Sequence, residues 1–324
     1  MRIKSIVSMV AALFLILVGC SRAFDYPEAK VTVKVMDELS QPIENVEVLI
    51  GFQEPKLGEQ GTKEIAIKGI TKADGVFSAS RKTCSQIAYS AKKQGYYNSR
   101  GDYHFSTSAN GQWQPWNPEF RVVLRKIENP VPMYARDTKM SPLPLLKPSK
   151  ELGFDLIEYD WVVPYGKGKH ADFIYKTQVS YKNENEYSYK LILTFPGKFD
   201  GIQLVKEDLN SGSQLKLPRI APSSGYSNKL IKSRSKLPNQ ALEDNYQSDN
   251  NYIFRIRSEE KDGKLVKAMY GKIQGDIGFG IKSSGESAII FKYYLNPDFT
   301  TNLEFNPQQN LFRNLKSMER VGLE

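Results

Sequence analysis

Apolar and polar positions alternate from Lys30 almost to the end of the chain. In VTVKV, Val31, Val33 and Val35 alternate with Thr32 and Lys34, the period-two signature of a half-buried strand. VEVLIGF (46–52), IAIKGITKADGVFSAS with a turn at Ala73-Asp74-Gly75, IAYSAKKQGYY (87–97) and FRVVLRKI (120–127) continue the pattern. A second series follows at ADFIYKTQVSY (171–181), where Phe173, Tyr175, Val179 and Tyr181 share a face, and then at YKLILTF, YIFRIRS, LVKAMYGKIQ and SAIIFKYYL. Helical periodicity is absent from these runs. The pattern predicts an all-β protein with an antiparallel sandwich at 31–127 and a second antiparallel β-rich domain at 151–316, followed by a tail at 317–324. Pro130, Pro132, Pro142, Pro144 and Pro148 fall between the two series, so 128–150 is expected to be an extended connector. The polar stretch from about 209 to 251, which includes SNKLIKSRSK, reads as a long loop.

The first twenty residues break this pattern. Arg2 and Lys4 precede the uncharged run IVSMVAALFLILV, which ends in Leu17-Val18-Gly19-Cys20. This combination resembles the signal peptide and lipobox of bacterial lipoproteins. The resemblance implies cleavage after Gly19, acylation of Cys20 and a tether over 20–30. The apolar run is shorter than the roughly 20 residues that a spanning helix needs. The expected location is the cell membrane or outer membrane, with membrane lipid as partner through the acyl chains. Loss of Arg2 and Lys4 lowers the formal charge from +9 to +7, and no feature marks nucleic acid as a partner. With Cys20 acylated, Cys84 has no cysteine to pair with.

Within the first series, Val33, Asp37, Pro42, Ile43, Val46 and Val48 stand where the carboxypeptidase-regulatory-like domain has its opening strand, turn and second strand. Thr71, Asp74, Gly75 and Phe77 fit its Thr-x-x-Asp-Gly-x-Phe motif, and Ala91, Gly95 and Tyr96 fit its closing strand. Gln41 and Asn45 depart from the glycines that family favours, and a long insertion separates the second and third strands. The resemblance implies a prealbumin-like β-sandwich and a non-catalytic spacer or binding module. The second region resembles parts of bacterial lipoproteins to which no activity attaches.

Candidate chemistry is sparse. YGKGKH (165–170) fails the Walker spacing G-x-x-x-x-G-K-[ST] in both registers and is followed by a strand, so it reads as a glycine turn. Asp102-Tyr103-His104 and His170-Ala171-Asp172 each place an imidazole and a carboxylate on one strand face, so His104, His170 and Asp172 are the acid–base candidates. HExxH and CxxC are absent, and neither metal nor cofactor is expected. Tyr103, Trp113 and Trp116, set among Asn, Ser and Gly, either present aromatic faces to sugar rings or cap the sandwich core. The expected function is a lipid-anchored, non-catalytic envelope protein that binds or scaffolds a glycan or another envelope component. The alternative is an anchored hydrolase of envelope polymers that uses carboxylates of the second domain.

Overall fold

The computed structural model describes residues 26–56, 62–145, 150–206, 212–281 and 287–324. Cys20 and Gly19 therefore lie outside the described residues. The protein is all-β: among the described residues the helical content is one 3-10 turn, Ser317–Glu319. Two compact units emerge, one made of residues up to 126 with 210–213, the other of 127–209 with 214–324.

Unit 1 carries β1 (Glu28–Met36), β2 (Glu47–Pro55), β3 (Thr62–Ile70), β4 (Val76–Lys82), β5 (Gln86–Lys92), β6 (Ser99–His104), β7 (Thr107–Ala109), β8 (Gln112–Gln114) and β9 (Glu119–Val123). One sheet has the order β4-β1-β8-β7, with β9 also on β1; the other runs β3-β2-β5-β6. Val31, Val33 and Val35 of β1 face Val48, Ile50 and Phe52 of β2, Ile87 of β5 and Val122 of β9 in a common core. Burial of each such side chain contributes about 1.5–3 kcal/mol. The motif residues have visible duties here. Thr71 Oγ1 donates to the Ile43 carbonyl at 2.8 Å and accepts the Val46 N–H at 3.0 Å. Asp74 accepts the Val76 N–H, and Gly75 adopts φ +74° where a Cβ would meet the Val35 carbonyl at 2.4 Å. Asn45, at a position where the family favours Gly, has φ +57°, a left-handed conformation that asparagine tolerates better than most residues.

Unit 2 carries β10 (Val131–Asp137), β11 (Leu143–Leu145), β12 (Leu152–Asp155), β13 (Asp160–Trp161), β14 (Phe173–Asn183), β15 (Glu186–Thr194), β16 (Gly201–Lys206), β17 (Lys229–Lys236), β18 (Glu243–Asp244), β19 (Asn250–Lys261), β20 (Lys264–Ile281), β21 (Ser287–Asn296) and β22 (Phe305–Asn310). A six-stranded sheet, β13-β12-β14-β15-β17-β18, faces a seven-stranded one, β16-β19-β20-β21-β10-β22 with β11 on β21. Phe154, Phe173, Tyr175, Leu191 and Leu193 from the first meet Tyr252, Phe254, Ile256, Ile273 and Tyr293 from the second. The outer face of the seven-stranded sheet is covered as well: Ile253, Ala268 and Tyr270 pack with Ala221 and Leu303. Double coverage explains why β19 reads as a nearly continuous apolar run.

The proline-rich stretch expected to be a connector instead supplies β10 and β11. Pro132 is accommodated because the β10–β22 pairing shifts register between Val131 and Met133, so the missing N–H breaks no ladder. The polar stretch expected to be a loop contains β17, paired along its length with β15.

Thr71→Val keeps the side-chain volume but strands a buried N–H and a buried carbonyl. Chemical denaturation should show a loss of about 1–3 kcal/mol; a loss below about half a kcal/mol would remove Thr71 from this role.

Candidate functional site

Two ionic clusters cross between the sheets of unit 2, and both sit on strand irregularities. Arg255, Ile256 and Arg257 follow one another on β19, so regular alternation would turn both arginines to the same face. The β19–β20 register instead shifts after Ile256, and Arg257 takes φ +50°. The bulge re-aims Arg257 inward while Arg255 stays on the outer face. Arg257 Nε donates to Asp172 Oδ1 at 2.7 Å, and Nη2 donates to Asp172 Oδ2 and Asp155 Oδ1, each at 2.9 Å. Asp155 also accepts the N–H groups of Ile157, Glu158, Lys169 and His170. Those bonds set the shape of the YGKGKH loop. The loop is wound onto Asp155 and onto Asp160, which takes the Lys167 N–H, while the Lys169 side chain stays exposed. Gly166 and Gly168 are required because a Cβ at either would strike this framework, at 2.3 Å from Asp160 Oδ1 and 2.8 Å from the Asp160 carbonyl.

The second cluster lies where β20 shifts register between Gln274 and Gly278, next to Gly275 at φ +80°. Asp276 Oδ2 accepts from Lys232 Nζ at 2.6 Å, Asn250 Nδ2 at 2.9 Å and the Gln247 N–H at 2.9 Å. Its Oδ1 accepts from the Tyr252 hydroxyl at 2.6 Å and the Ile277 N–H at 2.8 Å. Burial pushes both Asp155 and Asp276 up, but the donors around them prevail and leave each carboxyl below its ordinary value. Asp172 differs: burial outweighs Arg257 and its carboxyl is raised. Burial and the Asp276 hydrogen bond push the Tyr252 hydroxyl well up. These carboxylates are saturated by fixed donors, and none of the three presents a free oxygen to an open cavity.

An open cleft of about 660 Å³ lies elsewhere in unit 2, lined by 198–200, 223–228, Arg255 and Leu265. Arg255, 6% exposed, holds its walls together: Nε donates to the Phe199 carbonyl at 2.6 Å and Nη1 to the Ser223 carbonyl at 3.2 Å. Its guanidinium carbon stands 4.3 Å from the ring centroid of Tyr226, whose hydroxyl donates to the Pro222 carbonyl. Burial pushes that hydroxyl up to about 12 despite the nearby Arg255 charge. Asp200 Oδ1 accepts the Ser258 N–H and Oδ2 the Gly197 N–H, so its carboxylate is tied to backbone. What remains to face a ligand is a cationic, hydroxyl-rich and partly aromatic surface.

The structure disperses the residues singled out from the sequence. Tyr103 packs between Phe105 and Phe120, with ring centroids 5.0 Å from each. Trp113 stacks on Phe105 and donates Nε1–H to the Thr83 carbonyl at 2.9 Å. Trp116 is 37% exposed. His104 ends β6 in unit 1, whereas His170 lies in the 162–172 loop of unit 2, beside an Asp172 committed to Arg257. Among the described residues no group of three or more His, Cys, Asp or Glu is arranged to hold a metal. Burial raises the Cys84 thiol. The cleft residues Lys198, Ser223, Ser224, Tyr226 and Arg255 were not singled out beforehand. SSGYSN (223–228) lies within the polar stretch expected to be a loop, and the available signal was the pair of arginines embedded in the apolar YIFRIRS.

Fold and cleft together define an all-β protein with two compact units and a polar surface cleft. No protein-family model matches the chain, and no curated protein matches it either. Solved structures similar to it include the shaft pilin of Lactobacillus rhamnosus GG, at 9% identity and TM-score 0.23, covering 85% of this chain and 94% of that one. The major pilin subunit of Bacillus cereus is similar at 8% identity and TM-score 0.24, covering 86% and 99%. A candidate carbohydrate binding protein from Bacteroides uniformis is similar at 12% identity and TM-score 0.19, covering 82% and 96%.

The ionic clusters set the acid response. Asp155 and Asp276 bind protons less readily folded than unfolded, so their stabilisation is complete above about pH 4 and drains as pH falls through their folded values. Asp172, being raised, works in the opposite sense and offsets part of this. Asp276→Asn should cost about 3–5 kcal/mol at neutral pH, because Lys232 is left buried without its counter-charge. In urea titrations from neutral pH down to about pH 3, the variant should lose less further stability than the wild type. Equal acid sensitivity would show that Asp276 is not part of the response.

Proposed function

We propose that the chain is a lipid-anchored, non-catalytic protein of a bacterial envelope whose second unit binds a glycan or related envelope component in the cleft at Arg255 and Tyr226. The observation that carries this reading is a division of labour among charges. The buried carboxylates Asp155, Asp172 and Asp276 are consumed by Arg257, Lys232 and backbone donors, whereas the cleft beside Arg255 is open to a ligand. A general acid or base must reach the reacting group, and a carboxylate held by this many fixed donors does not. The Ser223 and Ser224 hydroxyls, by contrast, are exposed and engage no protein partner among the described residues. Hydroxyls beside an aromatic ring are the chemistry that recognises sugar.

Attachment to lipid rests on the Leu17-Val18-Gly19-Cys20 sequence. Each buried CH₂ contributes about 0.8 kcal/mol, so several acyl chains on one residue give an anchor that does not readily exchange. Unit 1 then acts as a spacer, and the carboxypeptidase-regulatory-like motif residues serve its folding. Trp116 adds an exposed aromatic to this unit, while Tyr103 and Trp113 pack against its core, and remains a secondary ligand contact in this reading.

Two experiments test these halves. Cells expressing the full chain and fed labelled palmitate should label the protein, and Cys20→Ser should abolish the label and release the protein from the membrane fraction. Retention of both by the variant would refute the anchor. On a glycan array, Ser224→Trp, which fills the cleft from an exposed position, should reduce binding about tenfold or more without lowering the melting temperature. Unchanged binding would place the ligand elsewhere.

A further inference from the structure

Among the described residues three cationic side chains are buried: Lys232, Lys272 and Arg255. Lys232 is matched by Asp276 and Lys272 by Glu324. The partly buried arginines follow the same rule, Arg257 with two aspartates, Arg219 with Glu304 and Arg136 with Glu319. Arg255 is the exception. No carboxylate among the described residues lies within ion-pair distance of it; its partners are two neutral carbonyls and the face of Tyr226. The nearby acids are committed elsewhere, Asp200 to backbone N–H groups and Glu260 to Lys198 at 2.7 Å.

An ion taken out of water without a counter-ion is costly. Carbonyl dipoles and a cation–π contact offset part of that cost and leave the formal charge in place. Arg255 also lines the open cleft, so the missing anion can be supplied from outside. A guanidinium fits carboxylate and phosphate oxygens through paired N–H donors, which makes those groups its natural complement. Around it, the free Ser223 and Ser224 hydroxyls and the Asn228 amide are suited to neutral hydroxyl groups on the same ligand. A cleft of about 660 Å³ admits a small oligosaccharide.

We propose that the cleft recognises an acidic saccharide, with the sugar's carboxylate or phosphate held by Arg255 and its hydroxyls held by Ser223, Ser224 and Asn228. The proposal rests on the reading of this cleft as the ligand site, and it narrows the ligand class. Calorimetric titration of the full chain in detergent tests it with trigalacturonic acid, its neutral methyl ester, glucose 6-phosphate and inorganic phosphate. The acid should bind about tenfold or more tightly than the ester, and added salt should narrow the gap. Arg255→Met should erase the preference, so that acid and ester bind alike; a preference that survives in the folded variant would overturn the role of Arg255. Arg255→Lys, which keeps the charge if the neutral variant fails to fold, should retain the preference at weaker affinity. Equal binding of acid and ester by the wild type would overturn anion recognition while leaving the cleft as a saccharide site. Binding of neither, with Ser224→Trp inert on the array, would overturn the underlying reading itself. Inorganic phosphate binding as tightly as glucose 6-phosphate would overturn the saccharide portion.

Discussion

A charge buried between two sheets has to be met by an opposite charge at the same depth, and unit 2 is arranged around that constraint. Its sheets are joined by more than apolar contact. Arg257 reaches from the seven-stranded sheet to Asp155 and Asp172 on the other side, and Lys232 of the six-stranded sheet reaches back to Asp276. Neither crossing is possible from a regular strand. Arg257 needs a left-handed backbone within a bulge, and Asp276 needs the irregularity beside Gly275. The bulges cost ladder hydrogen bonds and strain, and the charge-assisted bonds they allow offset that cost. Removing a single member would leave the other ion stranded, which makes each cluster a constraint on register as much as a source of stability.

This constraint also shapes the cleft. By turning Arg257 inward, the β19 bulge separates it from Arg255, which remains on the outer face and stitches the 198–200 segment to the 223–228 segment through their carbonyls. The walls of the cleft are thus held by a cation whose own charge stays uncompensated. Binding at such a place needs little reorganisation, because the donors are already fixed in position.

Sequence reasoning resolved the parts of this fold where alternation and burial coincide. Val31, Val33 and Val35 face a core as their spacing predicts, and Phe173 and Tyr175 do the same. Val179 and Tyr181 share that parity yet are 37% and 41% exposed, because the β14–β15 hairpin runs on past the part of the sandwich where Phe173 and Tyr175 are covered. Composition misled at two places. KLIKSRSK looked like a solvated loop because its inward position is Lys232, a charge satisfied only by a partner 44 residues away. The proline-rich stretch looked incapable of pairing, but a register shift at Pro132 makes room for it inside a sheet. The cleft was illegible for a similar reason. Arg255 and Arg257 sit two apart and look equivalent, and only the bulge that begins after Ile256 sends one to an ion cluster and leaves the other lining the cleft.

The central claim is that Asp155 and Asp276 are structural charges of unit 2, kept ionised at neutral pH by fixed donors. Carbon-13 resonances of the Asp155 and Asp276 side-chain carboxyls, followed through an acid titration, measure this directly. Both should titrate below the ordinary aspartate value of about 3.9. A carboxyl that instead took up its proton between about pH 5 and 7, where an acid–base catalyst operates, would contradict the account.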